Sequence, residues 1–145
     1  MQNYAFITGG MGFIGSMIAR KLLERDVVEK VVSLDHYGRY VSSVDKGFVD
    51  YRKHRLKGIE DRVIVERAEA KYPLLMLKLL TKYRPKYIFH LAALPLAKLD
   101  NLNSEEGVEG RVQSTSNILE SCGILNKSIG YTPDRVVYAS SSMVY

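Results

Sequence analysis

Glycines recur every third residue in Thr8-Gly9-Gly10-Met11-Gly12-Phe13-Ile14-Gly15, at Gly9, Gly12 and Gly15, between a short apolar run and an amphipathic one. The preceding run, Tyr4-Ala5-Phe6-Ile7, is apolar and β-prone, whereas Ile14, Met17, Ile18 and Leu22 fall on one helical face. The pattern predicts a strand, a tight turn and a helix, with the glycines on the turn and the first helical turn.

Each glycine answers a different steric demand. Gly9 permits a turn that a Cβ would obstruct, Gly12 lets backbone approach a bound pyrophosphate, and Gly15 lets the helix pack closely on the sheet. The unpaired N–H groups and positive dipole end at the helix start hold an anion without any lysine. A glycine triplet alone also suits a purely structural turn. Here the strand before it, the helix after it and Asp35, twenty residues beyond Gly15, favour a dinucleotide site.

At 145 residues one domain is expected, short for a two-domain enzyme. The formal net charge of +5 is spread along the chain, and no basic block interleaves with aromatics, which speaks against nucleic-acid binding. The single cysteine, Cys122, forms no internal disulfide or metal cluster and fits a reducing cytoplasm; core packing is its expected role. The uncharged start of the chain lacks a basic n-region and is broken by glycines, so neither a signal peptide nor a membrane span is expected.

The Gly-x-x-Gly-x-x-Gly spacing with Phe13-Ile14 between the last two glycines resembles the extended short-chain dehydrogenase/reductase family, which includes nucleotide-sugar epimerases and dehydratases. The resemblance continues through His90-Leu91-Ala92-Ala93, Thr115 to Glu120 and Ser140-Ser141 to Val144-Tyr145. It implies a cofactor-binding Rossmann domain over residues 1–145, NAD as cofactor, a nucleotide-sugar substrate, a cytoplasmic location and a homodimeric full-length parent. It also implies cofactor contacts from Gly9, Gly12, Phe13, Ile14, Gly15, Asp35, Glu69, Ala70, Leu91, Ala92 and Ala93.

Val31-Val32-Ser33-Leu34 is the second expected strand, with Asp35 at its carboxyl end. A carboxylate there accepts hydrogen bonds from the adenosine ribose hydroxyls and repels a 2′-phosphate, favouring NAD over NADP. A turn or cap residue is the alternative, and Arg39 keeps NADP open. Residues 36 to 61 suggest a loop and one exposed helix, Val44 to Leu56, whose run Arg52-Lys53-His54-Arg55 reads as a solvated face. Val63-Ile64-Val65 is the third strand. In the family a Gly-Asp pair follows it and binds the adenine amino group; the matching pair is Ala68-Glu69, so Glu69 is either that acceptor or a surface acid.

Pro73 opens a helix with Leu75, Met76, Leu79, Leu80 and Tyr83 as its core face, stopped at Arg84-Pro85. Residues 87 to 91 read as a fully buried fourth strand, with His90 a packed core histidine rather than a catalyst. Leu94 to Gly107 has the composition of an active-site loop. Val108, Val112, Thr115, Leu119 and Cys122 mark the next helix face, followed by a loop from Asn126 to Asp134. Arg111 and Ser114 stand where the family has Asn and Gly. Arg135 to Ala139 is the fifth strand. Alternating strands and crossovers predict a doubly wound parallel α/β sheet of order 3-2-1-4-5.

By resemblance, Ser141 hydrogen-bonds the reacting sugar oxygen. The family's downstream Tyr-x-x-x-Lys pair, in which lysine lowers the tyrosine pKa, has no counterpart before Tyr145. Two readings follow: the cofactor-binding portion of a nucleotide-sugar enzyme, inactive alone, or a non-catalytic NAD-binding module. The family's dehydratases resemble Thr-Asp-Glu where this chain has Ser141-Ser142-Met143, and neither Ser142 nor Met143 supplies an acid or base. Epimerisation or simple reduction is therefore expected over dehydration.

Overall fold

The computed structural model describes residues 3–37, 51–93 and 104–140. Strands β1 (Tyr4–Thr8), β2 (Lys30–Asp35), β3 (Val63–Arg67), β4 (Tyr87–His90) and β5 (Arg135–Tyr138) pair in parallel in the order β3-β2-β1-β4-β5. This is the doubly wound α/β sheet expected. Between β1 and β4 the strand order reverses, which opens a crevice at their carboxyl ends.

Alternation along β1 divides the core between the two faces of the sheet. Ala5 and Ile7 join Val31, Ala19 and Leu23 under α1 (Phe13–Glu24) and α2 (Arg52–Leu56). Phe6 joins Val32, Leu34, Ile88, Met76, Leu80 and Ile118 under α3 (Pro73–Tyr83) and α5 (Ser114–Ile129). Phe6, Ile7, Leu80 and Ile88 are wholly excluded from solvent, and each such side chain contributes about 1.5–3 kcal/mol. Pro73 stands at the start of α3, and Arg84 ends it in a left-handed conformation at φ 41°. Met76, Leu79, Leu80 and Tyr83 form the buried face expected of that helix. Cys122 is half-buried against the same core.

Two helices turn inward a face that only partly matches their apolar spacing: Ile18 and Leu22 of the first and Cys122 of the other pack half-buried against the core, but smaller neighbours are buried more deeply. In α1 the buried residues are Gly15, Ser16, Ala19 and Leu23, whereas Ile14 and Met17 are 63% and 45% exposed. In α5 they are Ser114, Asn117, Ile118, Ser121 and Leu125, while Leu119 and, in the stretch leading into α5, Val108 and Val112 are more than half exposed. The cause is close approach. Small side chains let these helices lie near their neighbours, and the polar ones find backbone partners, as when Asn117 Nδ2 donates to the Ala70 carbonyl at 3.0 Å.

Other boundaries also shift. Of the helix expected over Val44 to Leu56, Val44 to Asp50 lie outside the described residues, and Arg52–Leu56 is helical. Part of the expected active-site loop is helical, as α4 (Ser104–Gly107), and a π-helical stretch, Val108–Gln113, joins it to α5. α5 runs through Asn126 to Ile129 before Gly130 stops it at φ 66°, so the loop expected there is shorter. β4 ends at His90, and its residues alternate between half-buried and buried rather than being buried throughout.

At the amino end of the sheet Arg62 ties the chain together. Its guanidinium donates to the carbonyls of Leu23 at 3.1 Å, Val28 at 3.0 Å and Glu29 at 3.0 Å, satisfying the end of α1 and the turn into β2. Among the described residues no helix is long and apolar enough to cross a membrane.

Candidate functional site

The turn after β1 is held by backbone. Gly9, at φ 70°, donates to the Leu34 carbonyl at 2.8 Å, and Gly12 donates to the Gly9 carbonyl at 3.0 Å. A Cβ on Gly9 would lie 3.1 Å from the Ala92 nitrogen. One on Gly15 would lie 2.3 Å from the Gly9 carbonyl oxygen and 2.7 Å from Gly10 Cα, so Gly15 packs the helix on the turn itself. Gly10 is equally constrained, since its Cβ would fall 2.1 Å from Ser33 Oγ. Its position outside the three-residue repeat hid that role. Among the described residues, a Cβ on Gly12 would meet only the Gly9 oxygen, at 3.1 Å.

α1 begins at Phe13 with no side-chain cap and no acid in its first turn. Among the described residues no acceptor meets the N–H groups of Phe13, Ile14 or Gly15. Unclaimed donors at the positive end of a helix, beside an open glycine, form a cradle that fits a phosphate.

Asp35 stands beside this cradle, with its side chain 16% exposed. Oδ2 accepts the Met11 N–H at 3.1 Å and Oδ1 accepts the Tyr37 N–H at 2.9 Å. Each oxygen retains a lone pair beyond these bonds. The carboxylate thus acts as a turn residue, pinning the glycine loop to β2, and keeps acceptor capacity for a ligand. Arg39 lies outside the described residues.

Across the crevice, β4 is joined to β1 through side chains. Thr8 Oγ1 accepts the N–H groups of Leu91 at 3.2 Å and Ala92 at 3.1 Å, and lies 2.6 Å from His90 Nδ1. With both lone pairs used, the Thr8 hydroxyl donates its hydrogen to Nδ1. His90 Nε2 then carries the proton and faces Thr115 Oγ1 at 3.1 Å and Ser114 Oγ at 3.3 Å. Both hydroxyls direct their hydrogens to carbonyls one turn back, Thr115 to Arg111 at 2.7 Å and Ser114 to Gly110 at 3.0 Å, which leaves them free to accept.

Burial lowers the His90 pKa to about 4, so the ring is neutral at pH 7. It is the packed core histidine expected, in a network linking β1, β4 and α5. Ser114, where the family has glycine, supplies part of that network. An apolar cavity of about 160 Å³ opens beside the ring, between α5 and Val136 and Tyr138 of β5.

Leu91 and Ala92 lie half-buried beside Gly9, and Ala93 is exposed. Glu69 and Ala70 follow β3 farther along the same edge. Ala70 is buried, whereas the Glu69 carboxylate pairs with Lys71 at 3.3 Å on the rim. Lys71 also pairs with Glu109 at 2.9 Å; that hydrogen bond, with a lesser one from Glu69, holds its ammonium well above the ordinary lysine pKa. Gly9, Gly12, Phe13, Ile14, Gly15, Asp35, Leu91, Ala92 and Ala93 are thus gathered at the carboxyl ends of β1, β2 and β4. Ser141, Ser142 and Met143 lie outside the described residues.

The family model for the NAD dependent epimerase/dehydratase family matches residues 5–145. Among solved structures, the chain is similar to ADP-L-glycero-D-manno-heptose-6-epimerase of Helicobacter pylori, at 31% identity and a TM-score of 0.72, covering 99% of this chain and 40% of that one. It is also similar in fold to UDP-glucose 4-epimerase of Bifidobacterium longum in complex with NAD+ and UDP, at 21% identity and a TM-score of 0.73, covering 99% of this chain and 38% of that one. A curated relative, the capsular polysaccharide biosynthesis protein CapD of Staphylococcus aureus, is 25% identical over 139 residues, which are 94% of this chain and 22% of that protein. The chain therefore spans well under half the length of these relatives. By its match over nearly all its length, it belongs to the NAD dependent epimerase/dehydratase family.

Proposed function

We propose that this chain is the cofactor-binding portion of an NAD-dependent nucleotide-sugar epimerase, its residues 1–145 forming a partial Rossmann domain that does not turn over substrate alone. The observation that carries the reading is the open glycine cradle at the start of α1, with its unclaimed N–H groups beside Asp35.

In this reading the N–H groups of Phe13, Ile14 and Gly15 hold the pyrophosphate, and Gly12 leaves room for it. Asp35 accepts the adenosine ribose hydroxyls through the lone pairs that Met11 and Tyr37 leave free. Glu69 and Ala70 border the adenine. Backbone at Leu91 and Ala92, fixed by Thr8, and at Ala93 beyond them lines the path toward the reacting sugar. Bound NAD would accept the hydride, while Ser141 hydrogen-bonds the reacting sugar hydroxyl, whose proton passes to the downstream tyrosine of the Tyr-x-x-x-Lys pair that the family resemblance implies for the full-length parent. Ser142 and Met143 offer no acid or base to eliminate water, which favours an isomer as product.

The test is to incubate the full-length parent with UDP-, GDP- and dTDP-sugars and weigh the products. An isomer of unchanged mass supports the epimerase; a product lighter by one water overturns it.

A further inference from the structure

We propose that Arg55 contacts a phosphate of the cofactor, an inference that rests on the dinucleotide reading above and adds a residue to it. Arg55 belongs to the basic run that reads in sequence as a solvated face. The structure separates it from its neighbour His54, which is exposed. Its Nη1 donates to the Met11 carbonyl at 3.3 Å, inside the glycine turn, and its Cζ stands 5.9 Å from the ring centroid of Phe13, the first residue of α1. Both anchors border the stretch whose N–H groups are unclaimed.

This guanidinium is carried on a fixed stem. Arg20 Nη2 donates to the Arg55 carbonyl at 2.7 Å and to the Lys57 carbonyl at 3.0 Å, while Leu56 is buried in the core under α1. Arginine has five N–H donors in a rigid fork, and a single one is used on Met11. Among the described residues no carboxylate lies within ion-pairing distance of Arg55. Met11 is thus held at its N–H by the Asp35 carboxylate and at its carbonyl by a guanidinium with donors to spare.

Two phosphates can use those donors. One is the pyrophosphate common to NAD and NADP, at the start of α1. The other is the 2′-phosphate of NADP, for which Arg55 would offset the repulsion from Asp35.

The experiment titrates NAD, NADP and adenosine into the chain and its Arg55→Gln and Arg55→Lys variants. Arg55→Gln is expected to weaken at least one cofactor by about tenfold and Arg55→Lys by less, with adenosine unaffected in both. Equal loss for the two cofactors assigns the pyrophosphate; loss confined to NADP assigns the 2′-phosphate. Wild-type affinity of Arg55→Gln for both cofactors overturns the proposal. So does a parallel loss of adenosine, which would make Arg55 a prop for the turn. Failure of the unmodified chain to bind either cofactor would instead defeat the dinucleotide reading beneath it.

Discussion

The two sides of the β1–β4 crevice are built in opposite ways. On the α1 side, glycines remove side chains, and among the described residues the N–H groups of Phe13, Ile14 and Gly15 have no acceptors. On the α5 side, Thr8, His90, Ser114 and Thr115 are buried or half-buried, and every proton among them has an acceptor. Backbone polar groups away from partners are costly unless water or a ligand meets them. One wall is therefore prepared to receive an anion, and the other holds the sheet in register while it does so.

The largest expected effect breaks the receiving wall. Gly15→Ala places a methyl group 2.3 Å from the Gly9 oxygen, and because the obstacle is backbone the turn must move. A loss of about 3 kcal/mol is expected, at the upper end for overpacking, together with loss of cofactor affinity. A denaturant midpoint and a titration on the same sample check both. Unchanged stability would mean that the turn is looser than its geometry states.

Acid is expected to break the holding wall. Burial lowers the His90 pKa from 6.5 to about 4, so below pH 6.5 the unfolded chain binds a proton that the folded chain refuses. Stability is fully present above pH 6.5 and falls as pH drops toward 4, by about 3 kcal/mol for this group. Glu66, whose pKa is lowered chiefly by the Tyr83 hydroxyl, loses its contribution at and below its ordinary value of 4.5. Urea midpoints between pH 7 and pH 5 therefore isolate the histidine. The slope should vanish in His90→Gln, and persistence of the same slope there would assign it to another group.

A smaller effect sharpens the helix faces. Leu119→Ser is expected to change stability by less than about 0.5 kcal/mol, whereas Ile118→Ala, one residue away and 1% exposed, should cost about 2–5 kcal/mol. Reversed magnitudes in thermal melts would return α5 to the face suggested by Val108, Val112 and Leu119.

That comparison also shows where the sequence is informative. The β-rich runs around Val31 and Ile88 and the glycine turn are legible because strand patterning and glycine spacing are local properties. Which side of α1 or α5 faces inward is not local. It depends on how close the helix lies, and at close range Ser16, Ala19, Ser114 and Asn117 fit where Ile14 and Leu119 do not. In the site, Asp35 is legible from its place at the carboxyl end of a strand. The Thr8–His90–Thr115 chain is not, because its members come from β1, β4 and α5 and no spacing connects them. Arg55 was hidden for the opposite reason: it sits in a basic run whose other members give no sign that one side chain turns toward Met11.

The most direct measurement is calorimetric titration of NAD and NADP into the chain and its Gly12→Val variant, with a melt of each ligand-free protein. Among the described residues a Cβ at Gly12 would meet only the Gly9 oxygen, at 3.1 Å, so the branched side chain projects largely into the cradle. NAD binding is expected to be tighter than NADP binding and to be abolished by Gly12→Val, with the melt shifted far less than by Gly15→Ala. Undiminished NAD binding in Gly12→Val would contradict the cradle as the pyrophosphate site, and equal or tighter NADP binding would contradict the role given to Asp35.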